Sequence, residues 1–412
     1  MPLAKTDPLR RELATALPER HFTVRFWDGT VLPSTNENGR DGQGPSQGPT
    51  FTVRSPKAVA HVVRAPGELG LGRAYVAGEL EVDDLDRVIE LIDTFQEPNL
   101  DRAARARLAI AAVRACGLTI PPRAPKGELR PRGRTHSKER DARAVRHHYD
   151  VSNEFFELFL DESMTYSCAI FSRGATTLEE AQYAKLDLVC EKLALKEGER
   201  VLDMGCGWGA FAIHAAKNHG VRLVGITLSL PQAQLARRRV AEAGLSDRVE
   251  IRVADYRDLS GERFDAIASI GMVEHVGESH IDVYARKLAE LLAPDGRLLN
   301  HGIARLTHGI DEPGAFTQRY VFPDAAPLHL SRVQLALERA GFVTEHVEGF
   351  AQDYYDTLSE WIARLDSNRE RAEQLAGSER LRVWRLYLRS ARNIFKVQFV
   401  SIYQTLARLR QA

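Results

Sequence analysis

Three glycines stand at alternate positions, Gly205, Gly207 and Gly209, in the run V-L-D-M-G-C-G-W-G (201–209). An apolar strand ends at Asp203, the backbone must turn sharply, and a helix pattern starts at residue 210. Glycine suits such a turn because it lets the main chain approach a ligand without a Cβ in the way, and a following helix N-terminus favours negative charge. The spacing is GxGxG, not the GxGxxG of a dinucleotide loop. It suits the amino-acid end of S-adenosylmethionine, whose carboxylate can use loop amides. Two further strand ends carry ligand-type groups: Thr227 with Gln232, placed to reach a ribose, and Asp255 with Tyr256, an acceptor for an adenine amino group beside a ring to lie on the base. Most enzymes with such a fold carry a carboxylate after the second strand; this chain does not. Glu274 interrupts an apolar stretch, where an unpartnered carboxylate would be costly. No GxSxG nucleophile motif occurs, and no cysteine or histidine spacing marks a metal site, so none is expected.

The elements that must position these groups alternate. Strands are predicted at 200–203, 222–227, 249–253, 264–270 and 297–301, with helices at 210–219, 231–243 and 280–292. The turn Pro294-Asp295-Gly296 is read as the break before the last strand. This rhythm predicts an α/β fold with a doubly wound, mostly parallel sheet and ligands at the strands' carboxyl ends. The first hundred residues read as a smaller α/β or α+β module. It has a strand at 21–27 closed by Asp28-Gly29, a loop at 33–49, an extended run at 51–54, tight helix packing in the glycine-rich 67–80, and helices over 81–115. Residues 117–138, rich in Pro, Gly and Arg, read as a linker. The expected domains are therefore 1–116, an accessory and lipid-associated module, and 139–412, the catalytic domain, opening with helices over 141–160. The tail from Trp361 onward is expected to be helical.

Formal charge balances, with 56 basic and 56 acidic residues, but it is unevenly placed. Residues 101–148 hold thirteen Lys and Arg against four Asp and Glu, and 380–412 hold eight basic residues and no acidic one. Such blocks face water, anionic lipid or nucleic acid. No apolar run is long enough to span a bilayer and no signal peptide is read at the N-terminus, so any lipid contact is expected to be peripheral and cytoplasmic. The four cysteines, Cys116, Cys168, Cys190 and Cys206, are expected to be free thiols.

The strings LDMGCGWGAFA, GITLSLPQAQ, ADYRDL and IGMVEHVG, with HHYDVSNEFFELFLDESMTYSCAIF upstream and RYVFPDAA downstream, resemble the cyclopropane fatty acid synthase family, which includes the mycolic acid methyltransferases. The likeness covers roughly residues 140–400, and the N-terminal module is similar to that of the longer members. It implies S-adenosylmethionine contacts at Tyr166, Ser167, Gly205, Gly207, Thr227, Gln232 and Tyr256, with Ile270 on the adenine wall and Asp203 and Asp255 completing the strand ends. It implies methyl transfer to the cis double bond of a phospholipid acyl chain, giving a cyclopropane or a methylene- or methyl-branched chain, with bicarbonate as base. Its holders would be Cys168 and Ile303 through their backbones, and Glu274, His301 and Tyr354. His275 and the pair His147-His148 are read as structural or at the pocket edge.

Departures are the tyrosine at 256, where some members have tryptophan, Ala391 in place of a cysteine, and a shorter 303–322 segment than in mycolate-modifying members. The resemblance implies a membrane phospholipid and an anionic membrane surface as partners, at the inner face of the membrane, and no nucleic acid; a homodimer is left open. Two other readings are a small-amine methyltransferase, which would not need the bicarbonate constellation, and a non-catalytic binding protein, which would not need the cofactor loop.

Overall fold

The structure is a computed structural model that describes residues 5–35, 48–96, 98–117, 122–130, 133–149, 151–307, 314–325 and 327–410. The chain divides into two compact units: residues 1–128 with 314–316 and 377–390, and residues 129–313 with 317–376 and 391–412. The first unit thus takes in a stretch near the chain end that the expected division assigned to the catalytic domain.

The first unit holds α1 (Asp7–Ala16), β1 (Thr23–Arg25), β2 (Val31–Leu32), β3 (Thr50–Val53), α2 (Pro56–Arg64), α3 (Glu68–Val76), β4 (Leu80–Val82), α4 (Leu85–Thr94) and α5 (Arg102–Cys116). The strands form a four-stranded sheet in the order β2-β1-β3-β4. The glycines of α3 allow the close helix packing expected there: a Cβ on Gly70 would lie 2.2 Å from the carbonyl oxygen of Ala65, and one on Gly72 would lie 2.4 Å from the ring of Phe316. The expected loop at 33–49 falls mostly outside the described residues.

The second unit runs α6 (Lys138–Tyr149), α7 (Asn153–Glu157), α8 (Leu178–Lys192), β5 (Arg200–Met204), α9 (Ala210–His219), β6 (Arg222–Thr227), α10 (Leu230–Glu242), β7 (Val249–Val253), β8 (Phe264–Ile270), α11 (Ile281–Leu291) and β9 (Leu292–Arg305). Then come α12 (Ala315–Tyr320), β10 (Leu328–His329), α13 (Leu330–Arg339), β11 (Phe342–Gly349), α14 (Ala351–Ser367), α15 (Arg369–Ala376), α16 (Ser378–Lys396) and β12 (Val400–Leu409). Helices α12 and α16 cross the boundary between the units. The main sheet has the order β11-β12-β9-β8-β5-β6-β7, with β10 beside β9. Pairing is parallel from β9 through β7 and antiparallel for β12 and β11. The α/β fold with a mostly parallel sheet is as expected from the strand–helix rhythm.

Helix starts follow side-chain chemistry. Thr177 and Glu180 form a reciprocal capping box at α8, and Ser229 caps α10 ahead of Pro231. Two expectations fail. The Pro294-Asp295-Gly296 segment does not precede the strand: β9 spans it, and the register against β8 slips there, Leu292 facing Phe264 and Arg297 facing Ala266. The slip accommodates a proline that cannot donate to the ladder. The tail is not all helix either, since residues 400–409 form β12, paired along the whole of 297–305.

Candidate functional site

Strands β5, β6, β7 and β8 end on one side of the sheet, at a cleft that is partly open to solvent. All ten residues expected around the cofactor line it: Tyr166, Ser167, Asp203, Gly205, Gly207, Thr227, Gln232, Asp255, Tyr256 and Ile270. Gly205 and Gly207 both have left-handed backbone, φ +87° and +52°. The hydroxyl of Thr227 donates to Gln232 Oε1 at 2.8 Å, leaving the Gln232 amide donors for the cleft. Asp255 is more engaged than expected. Its carboxylate accepts from the Arg257 guanidinium at 2.8 and 2.6 Å and from the Arg257 amide at 2.9 Å. Burial works against ionisation of Asp255, but the Arg257 bonds outweigh it and hold the carboxyl below its usual range.

Aromatic rings close the cleft near the glycine loop. Tyr149, Tyr166 and Trp208 all line it. Tyr166 stacks on Trp361 at 5.0 Å, and the Trp208 indole donates to Asn153 at 2.8 Å. Sequence reasoning passed over Tyr149, Trp208, Met272 and above all Lys185. Lys185 lies on α8, is 1% exposed and donates to Ser167 Oγ at 2.9 Å. Burial brings its pKa down to about 8, against the pull of Asp161, Cys168 and Asp203. Burial likewise lifts Asp203 to about 7, with Lys185 opposing. Nothing in the helical pattern of α8 separates Lys185 from a solvated lysine. Trp208, by contrast, was visible inside the glycine motif itself.

None of the five residues expected to hold the base lines the cleft, but their chain neighbours Ser167, Met272 and His275 do. Glu274 sits in a short 3-10 turn after β8, and its Oε1 accepts from the Ile303 amide at 2.7 Å. The amide expected to hold an anion is therefore engaged by the Glu274 carboxylate. The other oxygen, Oε2, is enclosed without a partner. Burial pushes Glu274 up to about 7, with the Ile303 amide opposing.

His301 lies two residues before Ile303 on β9 and faces Gln404 across the β9–β12 pair. Its Nδ1 is 3.2 Å from Gln404 Nε2, and its Nε2 is enclosed without a partner. Burial, helped by the charges of Lys185 and Lys192, lowers His301 to about 3, so the ring is neutral. Cys168 and Tyr354 meet at Phe350: the Cys168 thiol is 3.9 Å from the Phe350 carbonyl oxygen, which also accepts from the Tyr354 amide at 3.2 Å. The Phe350 amide in turn donates to Ile402, the β12 residue opposite Ile303. Strand β12 thus ties the two halves of the set together. The Tyr354 ring packs against Phe395 at 4.6 Å and lies edge-on to Trp361. His275, half-buried on the cleft wall, is lowered by burial to about 4.

The four cysteines are free and buried. The side chains of Cys190, His214 and His219 come within 4.8 Å of one another on α8 and α9, a grouping of metal-ligand types that no sequence spacing marks. His214 there is held by Asp187 at 2.8 Å, and none of the three lines the cleft. No helix among the described residues is long and apolar enough to cross a membrane.

Residues 136–405 match the family model described as mycolic acid cyclopropane synthetase. A probable fatty acid methyltransferase of Mycobacterium tuberculosis is 39% identical over 86% of this chain and 86% of its own length. The cyclopropane-fatty-acyl-phospholipid synthase of Escherichia coli is 35% identical over 85% and 86%. Among solved structures, the cyclopropane synthase MmaA2 from Mycobacterium tuberculosis superposes with a TM-score of 0.62 at 32% identity, covering 66% of this chain and 98% of that one. A mycolic acid cyclopropane synthase complexed with S-adenosylhomocysteine and CTAB gives 0.61 at 33%, covering 65% and 97%.

Proposed function

We propose, from the premise that this chain belongs to the mycolic acid cyclopropane synthetase family and is an S-adenosylmethionine-dependent methyltransferase, that it methylates the cis double bond of an unsaturated phospholipid acyl chain with bicarbonate as base. The observation that carries this reading is that Glu274 Oε2 and His301 Nε2, two of the seven enclosed side-chain atoms without a partner among the described residues, belong to the residues expected to hold the base. A methyltransferase acting on an amine has no need of them. Buried polar atoms without partners are rare, and an absent small ion is one of their ordinary explanations.

Bound S-adenosylmethionine supplies the electrophilic methyl group, and bound bicarbonate supplies the base that takes the proton from it after transfer. The chain's own residues do the rest. Gly205 and Gly207 leave room for the methionine end, while Thr227, Gln232, Asp255, Tyr256 and Ile270 receive the nucleoside. Tyr149, Tyr166 and Trp208 wall the reacting end with rings. That excludes water from the carbocation left when the alkene π bond attacks the methyl group, and their faces are attractive to a cation. His301 offers a neutral N–H to an oxyanion. Glu274, with a pKa of about 7, can share a proton with it near neutral pH. The Cys168 backbone and the Tyr354 hydroxyl complete the holders, while the Ile303 amide fixes the Glu274 carboxylate in place. Loss of the proton from the new methyl group closes the cyclopropane; a shift of the cation before that loss gives a branched chain.

The substrate lies in a membrane, and the first unit offers a face for it. Helix α5 buries Ala111, Ala112, Ala115 and Cys116 and turns Ile110 and Val113 outward, 51% and 54% exposed, between Arg102, Arg105 and Arg114. The first unit is read as the lipid-associated module on this ground. The C-terminal basic helix is the weaker candidate, because α16 buries Leu381, Trp384, Leu388 and Phe395.

Mass spectrometry of lipids from cells expressing the protein tests the whole reading. Phospholipids carrying one added CH2 per modified double bond are expected, and fewer of them when bicarbonate is depleted. Unchanged lipids together with a methylated small amine would overturn it.

A further inference from the structure

A neutral imidazole can present a donor or an acceptor at Nε2, and which one it presents depends on what its other nitrogen meets. In this chain the choice is made by a hydrogen-bonded line that starts on α8. Lys192 donates to Glu348 Oε2 at 2.5 Å and to Gln404 Oε1 at 2.7 Å. An ammonium has only donors, so the oxygen of the Gln404 amide must face it. The amide nitrogen then faces His301, at 3.2 Å from Nδ1. Since that nitrogen can only donate, Nδ1 must accept, and the ring proton sits on Nε2. Gln404 is fully buried and opposite His301 in the β9–β12 register, so the contact is set by backbone pairing and not by a mobile loop.

We infer that Gln404, oriented by Lys192, is a positioning residue that locks His301 in its Nε2–H tautomer and so turns the enclosed face of the ring into a donor for a small oxyanion. The inference rests on the base site proposed above. It adds that the site's polarity comes from outside it, through a side chain on the last strand. Without the lock, the ring could place its proton on Nδ1 and present a lone pair to the anion, which repels it.

The test uses full-length protein labelled with 15N-histidine, with the His301 signals identified by their loss in His301→Gln. Long-range proton–nitrogen correlation should show wild-type His301 neutral and protonated on Nε2. Gln404→Glu replaces the donor by an acceptor that can keep the bond to Lys192. It should move the proton to Nδ1 and lower turnover roughly 10- to 100-fold, by analogy with residues that orient a metal-ligating histidine, with KM for S-adenosylmethionine unchanged. Should that variant fail to fold, Lys192→Met frees the Gln404 amide to flip and should give a mixture of tautomers with a smaller loss. An Nδ1–H tautomer in the wild type overturns the inference, as does a reversed tautomer in Gln404→Glu with turnover intact. Bicarbonate dependence of wild-type turnover is read separately: its absence would sink the base reading, whereas the tautomer and turnover data decide the relay.

Discussion

The two sides of the candidate site are built in opposite ways. The cofactor cleft is assembled from strand ends, each of which carries its own ligand group within a few residues of the strand: Gly205 after β5, Thr227 at the end of β6, Asp255 after β7 and Ile270 at the end of β8. Its polar groups bond largely to one another, as Thr227 to Gln232 and Asp255 to Arg257, although Asp203 Oδ2 is enclosed without a partner among the described residues. The proposed base pocket draws on distant segments, with Glu274 after β8, His301 and Ile303 on β9, Phe350 before α14, and Gln404 on β12. There polar atoms are enclosed and unpartnered, and burial moves the pKa values far from their usual ranges. On the proposed reading, the contrast separates binding from chemistry. A mutation in the cleft should cost affinity, and one in the pocket should cost rate.

The sharpest way to break that contrast is at the glycine loop. Gly205→Val puts a β-branched residue at φ +87°, where an ordinary side chain costs on the order of 1–2 kcal/mol. It also fills space at the methionine end. S-adenosylmethionine binding should fall below detection by calorimetry in a folded variant. Unchanged affinity would remove the cleft from its assigned role.

Next in size is Glu274→Gln, which should leave cofactor affinity nearly intact and lower turnover by roughly 10²- to 10⁴-fold. Matching losses of affinity and rate would make Glu274 a cofactor ligand and erase the distinction between the two sides. A second readout is stability. The folded pKa of Glu274, about 7, lies above its ordinary 4.5, so the fold favours the protonated form. That contribution is present in full below pH 4.5 and is lost as pH rises through 7. Gln does not ionise, so the variant should gain on the wild type between pH 4.5 and 7 and hold a lead of roughly 3 kcal/mol above it. Thermal melts at several pH values would show a constant difference if Glu274 were freely solvated.

These contrasts also explain what could be read in advance. Motifs that combine a strand, a turn and a ligand group within ten residues are legible, which is why Gly205, Thr227, Asp255 and the helix at 210–219 could be read from the residues themselves; Tyr166, Ser167 and Ile270 came only from the resemblance, and all ten line the cleft. The resemblance grouped Glu274, His301 and Ile303 as holders of bicarbonate, and the contact of the Ile303 amide with the Glu274 carboxylate could not be read from spacing, which does not bring residue 274 beside residue 303. Gln404 was missed for a physical reason. The preceding amphipathic helix suggested that the tail continued as helix, although V-S-I-Y-Q-T alternates and is rich in β-branched and aromatic residues, as a strand should be. Its partner β9 buries almost every position and so shows no alternation of its own.

Lys185 sharpens the comparison because it is a buried charge on the cleft side. Its folded pKa of about 8 lies below the ordinary 10.5, so the fold disfavours its protonated form, and the contribution to stability present above pH 10.5 is lost as pH falls through 8. Lys185→Met should therefore gain stability over the wild type below pH 8, the opposite side of the scale from Glu274→Gln. Its cost should appear in binding. Loss of the cation behind Ser167 should weaken S-adenosylmethionine about tenfold, in line with a hydrogen bond to a charged group. Wild-type affinity should decline as pH rises through 8, and the variant's should not. A variant with wild-type affinity and the same pH profile would make Lys185 a structural lysine.

The smallest expected effect concerns the membrane, and it sets two basic regions of the first unit against each other. On α16, Arg382 is ion-paired with Glu81, and Arg389 with Asp86 at 3.1 Å. Reversing either charge should lower the melting temperature more than it alters vesicle binding. On α5, Arg102, Arg105 and Arg114 are exposed around Ile110 and Val113. Each basic residue near an anionic surface contributes on the order of 1 kcal/mol, an attraction that salt screens over about 10 Å at 0.1 M. Arg130 and Arg134 are exposed as well; Arg132, between them, lies outside the described residues. Binding to vesicles containing anionic phospholipid should therefore weaken steeply with salt. It should weaken further in the Arg102→Glu, Arg105→Glu, Arg114→Glu triple variant, and less on reversal at Arg130 and Arg134. Co-sedimentation at two salt concentrations reads both effects. Binding that ignores salt and the α5 charges would leave Ile110 and Val113 as scattered surface apolar residues. The acyl substrate would then have to reach the cleft by another route, such as a carrier protein.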